Sequence, residues 1–75
     1  MKLSYIEELI DTDGQITLGH MYPVGCVAIA NDGSNTLAML KRQPRESLVD
    51  LMKRLDRAIE HSIEHQEYID EINQR

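Results

Sequence analysis

The feature that most constrains this chain is Asn31-Asp32-Gly33-Ser34-Asn35, set between two apolar segments, residues 25–30 and 36–42. Asp-Gly suits the tight type I′ turn of a β-hairpin, because glycine accepts a positive φ and the aspartate carboxylate can bond nearby amides. The flanks read as strands. In residues 25–30, Cys26, Ala28 and Ala30 fall on one alternating set and Val27 and Ile29 on the other. Both sets are apolar, as in a central strand covered on both sides. Leu37, Ala38, Met39 and Leu40 are also apolar on both sides, so the hairpin has more apolar surface than one helix covers.

Upstream, Gln15-Ile16-Thr17-Leu18 alternates polar and apolar and predicts a further short strand, ended by Pro23. Asp11-Thr12-Asp13-Gly14 before it is a turn. Residues 3–10 carry two signals. Ile6, Leu9 and Ile10 follow helical spacing and Ser4-Tyr5-Ile6-Glu7 fits a capping box, while Leu3, Tyr5 and Ile6 suit an edge strand. The reading adopted is a strand or irregular arm.

Downstream, Gln43-Pro44 forces an extended residue and then permits a helix to start between positions 44 and 48, with Ser47 and Asp50 as a second cap. Leu48, Leu51, Met52, Leu55, Ala58, Ile59 and Ile63 recur at three- and four-residue spacing, and Ile69 and Ile72 rejoin the stripe. No proline or glycine follows Pro44. A helix over residues 44–74 would be roughly 45 Å long at about 1.5 Å per residue, more than so small a domain needs. Its second half must project, fold back after a break at residues 61–66, or pack on another chain. The expected fold is α+β: an antiparallel sheet of two to three strands, with its hairpin at Asp32-Gly33, on a long C-terminal helix. Residues 1–75 form one domain, β-rich with an N-terminal arm to residue 43 and helical over 44–74.

At 75 residues the chain buries a small fraction of its surface, and its single cysteine, Cys26, forbids an internal disulfide. Association with another chain is the remaining common support. A lone thiol points to a reducing compartment, so a cytoplasmic protein is expected. Acidic residues Glu7 and Glu8 interrupt the N-terminus before a signal-peptide core could form, and no apolar run approaches the ~20 residues of a membrane span.

The net charge is −5, arranged acid, base, acid. Glu7, Glu8, Asp11 and Asp13 lead, Lys41, Arg42, Arg45, Lys53, Arg54 and Arg57 fill the middle, and Glu60, Glu64, Glu67, Asp70 and Glu71 follow. The basic block is punctuated by acids and lacks interleaved aromatic residues, which argues against nucleic-acid binding. The blocks suit pairing between copies. An antiparallel pair of the long helices would set each basic half against the other's acidic half, with Leu48, Leu51, Leu55, Ile59, Ile69 and Ile72 supplying the apolar contact.

His61-Ser62-Ile63-Glu64-His65 matches H-x-x-E-H, in which two histidines one helical turn apart hold zinc and the glutamate activates water. Ten residues remain after it and none is Cys or His, so the ligand set is incomplete. His61, Glu64 and His65 are therefore weak metal candidates, and no cofactor is expected. Cys26 has no base in its neighbourhood and reads as a packing residue, and no glycine pattern forms a phosphate loop.

Pro23-Val24-Gly25-Cys26, with a strand and a following helix, resembles the small β-sheet antitoxin domains of the HicB type. In those the glycine-cysteine segment leads into a helix, whereas here it enters a hairpin, so no residue role is carried over. The function expected is a non-enzymatic, homo-oligomeric protein–protein interaction module, acting as an adaptor, inhibitor or antitoxin-like binder of a larger partner. The alternative is a small metal- or ligand-binding regulatory domain using His61, Glu64 and His65.

Overall fold

The computed structural model describes residues 2–73; Met1, Gln74 and Arg75 lie outside them. The order is α1 (Ser4–Asp11), β1 (Gln15–Met21), β2 (Gly25–Asn31), β3 (Thr36–Lys41), α2 (Leu48–His65) and β4 (Ile69–Asp70). The four strands form one sheet in chain order, β1-β2-β3-β4, antiparallel at the first two junctions and parallel at the third. The fold is α+β with α2 packed on the sheet, as expected; the additional strand is β4.

The hairpin between β2 and β3 sits at Asp32-Gly33, but its loop is longer than a two-residue turn. Asn31 pairs with Thr36 and the register shifts beside Ala30. Two side chains hold the loop: Asp32 Oδ1 accepts from the amides of Ser34 at 2.8 Å and Asn35 at 2.6 Å, Asn31 Oδ1 accepts from the Gly33 amide at 2.6 Å, and the Asp32 amide donates to the Asn35 carbonyl. Gly33, at φ 99°, supplies the left-handed residue.

Residues 3–10 are not a strand or arm, because Ser4–Asp11 is helical. The expected capping box is unused. Leu3 occupies the cap position without a side-chain bond, and the free amides of Tyr5 and Ile6 both donate to Asp56 Oδ1 of α2, each at 2.9 Å. A carboxylate about fifty positions away in sequence replaces a local cap, and local sequence carries no sign of it.

The C-terminal helix also departs from expectation. It begins at Leu48, with Ser47 Oγ accepting from the Asp50 amide at 3.0 Å, and ends at His65 rather than 74. Gln66 closes it in the left-handed conformation, φ 53°. Continuing would have placed Glu67, Asp70 and Glu71 at the negative end of the helix dipole and left Ile69 in water. The chain instead turns back, and Ile69 packs against the core beside Ala38, its partner in register.

The core lies between the helices and one face of the sheet. Ile6 and Leu9 of α1 and Leu51, Leu55, Ala58 and Ile59 of α2 meet Ala28, Ala30, Ala38 and Leu40. The alanines permit close approach of the helices, and leucine and isoleucine fill the intervening space. Among the described residues no buried side-chain nitrogen or oxygen lacks a hydrogen-bond partner, and no helix is long and apolar enough to cross a membrane.

Candidate interaction surface

Strand alternation divides the sheet into two unlike faces. Ile16, Leu18 and His20 of β1 share the helix-bearing face with Cys26, Ala28 and Ala30 of β2, their partners in register. Thr17, Gly19 and Met21 share the opposite face with Val27, Ile29 and, on β3, Met39. Both helices pack on the first face, so the second carries apolar side chains with no helix over them. The tyrosine before β4 lies at its margin, where the Tyr68 hydroxyl donates to Met39 Sδ at 2.6 Å. The helices lie over one face only, yet no residue of 25–30 is exposed: on the second face Val27 is 1% exposed and Ile29 half-buried, as expected of a strand covered on both sides.

The two edges of the sheet also differ. At the β4 edge, Arg54 gathers the chain: Nε donates to Glu46 Oε2 at 2.8 Å, Nη1 to Glu71 Oε2 at 2.6 Å and Nη2 to the Lys41 carbonyl at 2.8 Å. Glu71 completes the closure by accepting from the Lys41 amide at 3.0 Å. Hydrogen bonding to Arg54 holds the Glu46 carboxyl below its ordinary range, and that carboxylate in turn raises the Arg54 guanidinium. Asp70, lowered chiefly by the Asn73 amide, pins the following turn through Ile72 and Asn73, each amide at 2.9 Å.

At the other edge, among the described residues, β1 pairs only with β2. Its seven residues are exposed except half-buried Ile16, and its exposed apolar groups Leu18 and Met21 continue into Tyr22, which is 87% exposed. Ile10, on the outward side of α1, is exposed as well. With Leu3, Ile6, Glu7 and Asp11 it lines a shallow hollow of about 330 Å³.

The expected association stripe is divided by the fold. Leu51, Leu55 and Ile59 are 0% exposed inside the monomer and cannot also line a surface between copies without leaving the core. Ile69 and Ile72 are half-buried beyond the end of α2, and only Leu48 is exposed. The long antiparallel helix pair is therefore not available. Sequence reasoning missed Leu18, Met21, Tyr22 and Ile10; the signal was the absence of any charged side chain over residues 14–23 in a chain so rich in charge.

His61 and His65 lie side by side on α2, ring centroids 4.5 Å apart, but His61 Nε2 is engaged with Glu67 Oε2 at 3.0 Å. Glu64 joins neither of these contacts in the structure, and among the described residues no group of three or more His, Cys, Asp or Glu side chains is placed to hold a metal ion. Cys26 is a free, half-buried thiol packed against the core. Of the basic block, Arg54 is consumed by its carboxylates, while Lys41, Arg42, Arg45, Lys53 and Arg57 are exposed. Comparison with protein families, curated proteins and solved structures returned no match.

Proposed function

We propose that this chain is a small cytoplasmic protein–protein interaction module that works as a homo-oligomer, serving as an adaptor, inhibitor or antitoxin-like binder of a larger partner. The observation that supports the reading is a sheet with helices on one face only. Ile29 and Met39, both half-buried, lie on the face without helices, and β1 presents an unpaired edge carrying exposed Leu18 and Met21. A small domain that leaves a face and an edge unfinished gains most by completing them against protein, since burial is worth roughly 25 cal/mol per Å² of apolar surface. The proposal contains no catalytic step and no cofactor. Light scattering on the purified chain at micromolar concentration tests it: a mass of two or more chains is expected, and a monomer overturns the homo-oligomeric reading.

A further inference from the structure

The two edges of the sheet suggest which surface a second copy uses. β4 is two residues long and tied down by Arg54 and Glu71. β1 runs seven residues in unbroken register with β2, from Gln15 opposite Asn31 to Met21 opposite Gly25. It has no proline, no lysine, no carboxylate and no bulge, the devices by which natural edge strands resist pairing. We propose that β1 pairs antiparallel with β1 of a second copy of this chain, with Leu18 on the two-fold axis, joining the two sheets into one. The inference rests on the self-association reading above and specifies its interface.

Charge and shape both favour a second copy in this register. The chain carries a net −5, yet β1 against β1 brings no like charges together, because its only ionisable side chain is His20. Pairing all seven residues about the central Leu18 sets Ile16 opposite His20 of the other copy and Thr17 opposite its Gly19. All of Ile16, Leu18 and His20 face the helix side. α1 covers one end of the strand: its Leu9 carbonyl accepts from the Gly14 amide at 2.8 Å, and Ile16 is packed against the core. The other end, with Leu18 and His20, is exposed on that same face. Antiparallel pairing lays the covered end of one strand beside the uncovered end of the other.

The overhanging side of α1 then meets that uncovered end. Tyr5 faces α2, where hydrogen bonding to Glu60 raises its pKa. Ile10 lies about 140° around the helix from Tyr5 at 100° per residue, on the side away from α2. The hollow of Leu3, Ile6 and Ile10, bordered by Glu7 and Asp11, would receive Leu18 and His20 of the second copy, apolar against apolar and base against acid. Because the interface uses the same edge on both copies and the β4 edge is closed, the assembly stops at two.

Paired cysteine variants in a Cys26→Ser background test the register. At position 18 the two Cα atoms would lie about 4.5–5.5 Å apart, within disulfide reach, whereas at position 20 they would be separated by four residues, about 13 Å. Leu18→Cys should cross-link under mild oxidation and His20→Cys should not. Leu18→Asp should yield a monomer with an unchanged circular dichroism spectrum, since Leu18 lies outside the core cluster. If the wild-type chain is a monomer, both the self-association reading and this interface are overturned. If it is a dimer that Leu18→Asp leaves intact and Leu18→Cys fails to cross-link faster than His20→Cys, the interface alone is overturned, and the open sheet face becomes the contact.

Discussion

Asp56 caps a helix to which it does not belong: its Oδ1 lies 2.9 Å from the amide of Ile6, 50 positions earlier in the chain, and 2.9 Å from the amide of Tyr5 beside it. The carboxylate meets the positive end of α1 and satisfies two amides that the helix leaves free. Asp56→Ala should cost about 1–2 kcal/mol, measured by urea denaturation, with the loss of amide-exchange protection concentrated in α1. Asp56→Asn, which retains an acceptor, should recover most of the stability. Equal loss of protection in α1 and β2 would show that the cap is not local to α1.

The stripe on α2 separates into core and surface members, and substitution should tell them apart. Leu55→Ala removes a fully buried side chain and should cost about 2–5 kcal/mol in thermal or chemical unfolding. Leu48→Asp, at a position 46% exposed, should stay within about 0.5 kcal/mol and leave the solution mass unchanged. A change of mass in Leu48→Asp with its stability preserved would bring the start of α2 into the interface.

Acid should loosen the β4 edge first. The Glu46 pKa is depressed below 4.5 in the folded chain, chiefly by its hydrogen bond to Arg54, so the unfolded chain binds protons before the folded one does. Its contribution is complete above the unfolded value and is lost as pH falls through the lower folded value. Asp32 and Asp70, also depressed by bonds from backbone amides, act in the same direction. Stability should therefore fall from about pH 4.5 downward, and Glu46→Gln should flatten that slope while lowering stability at pH 7. Identical slopes in the two proteins would remove Glu46 from the account.

Gly14 is wedged between Leu9 of α1 and Asn31 of β2. A Cβ there would lie 2.5 Å from both Cγ and the carbonyl oxygen of Leu9 and 2.9 Å from the Asn31 carbonyl oxygen. Gly14→Ala should cost about 1–3 kcal/mol, since backbone on two sides cannot move aside as a flexible side chain would. A thermal midpoint equal to that of the wild type would show that α1 shifts freely.

What was legible in the sequence was what short-range chemistry dictates. The hairpin follows from Asp32 and Gly33, its strands from the apolar runs around Val27 and Leu40, and the start of α2 from Ser47 and Asp50. What was not legible depends on distant partners. α1 is capped by Asp56, and the end of α2 is set by Ile69 finding Ala38 and Arg54 finding Glu71. Ile69 and Ile72 fall two heptads after Leu55 and Ala58, so periodicity alone extends α2 through a stretch that folds back. The candidate surface was missed for a related reason. Charged and apolar stripes carry strong sequence signals, while β1 is distinguished by lacking Asp, Glu, Lys and Arg.

Neighbours along the chain are neighbours in the sheet throughout, β1 to β2 to β3 to β4. Each pairing therefore closes a short loop, except the crossover through α2, and pays little entropy before its contacts form. Such a topology favours rapid assembly of the hairpins. The tie from Asp56 to Tyr5 and Ile6 joins residues 51 and 50 positions apart and forms once α2 has settled on the sheet. α1 is then a late arrival, so weakening its cap should hasten unfolding far more than it slows folding. The helix that comes first in the order of elements would be among the last to find its place.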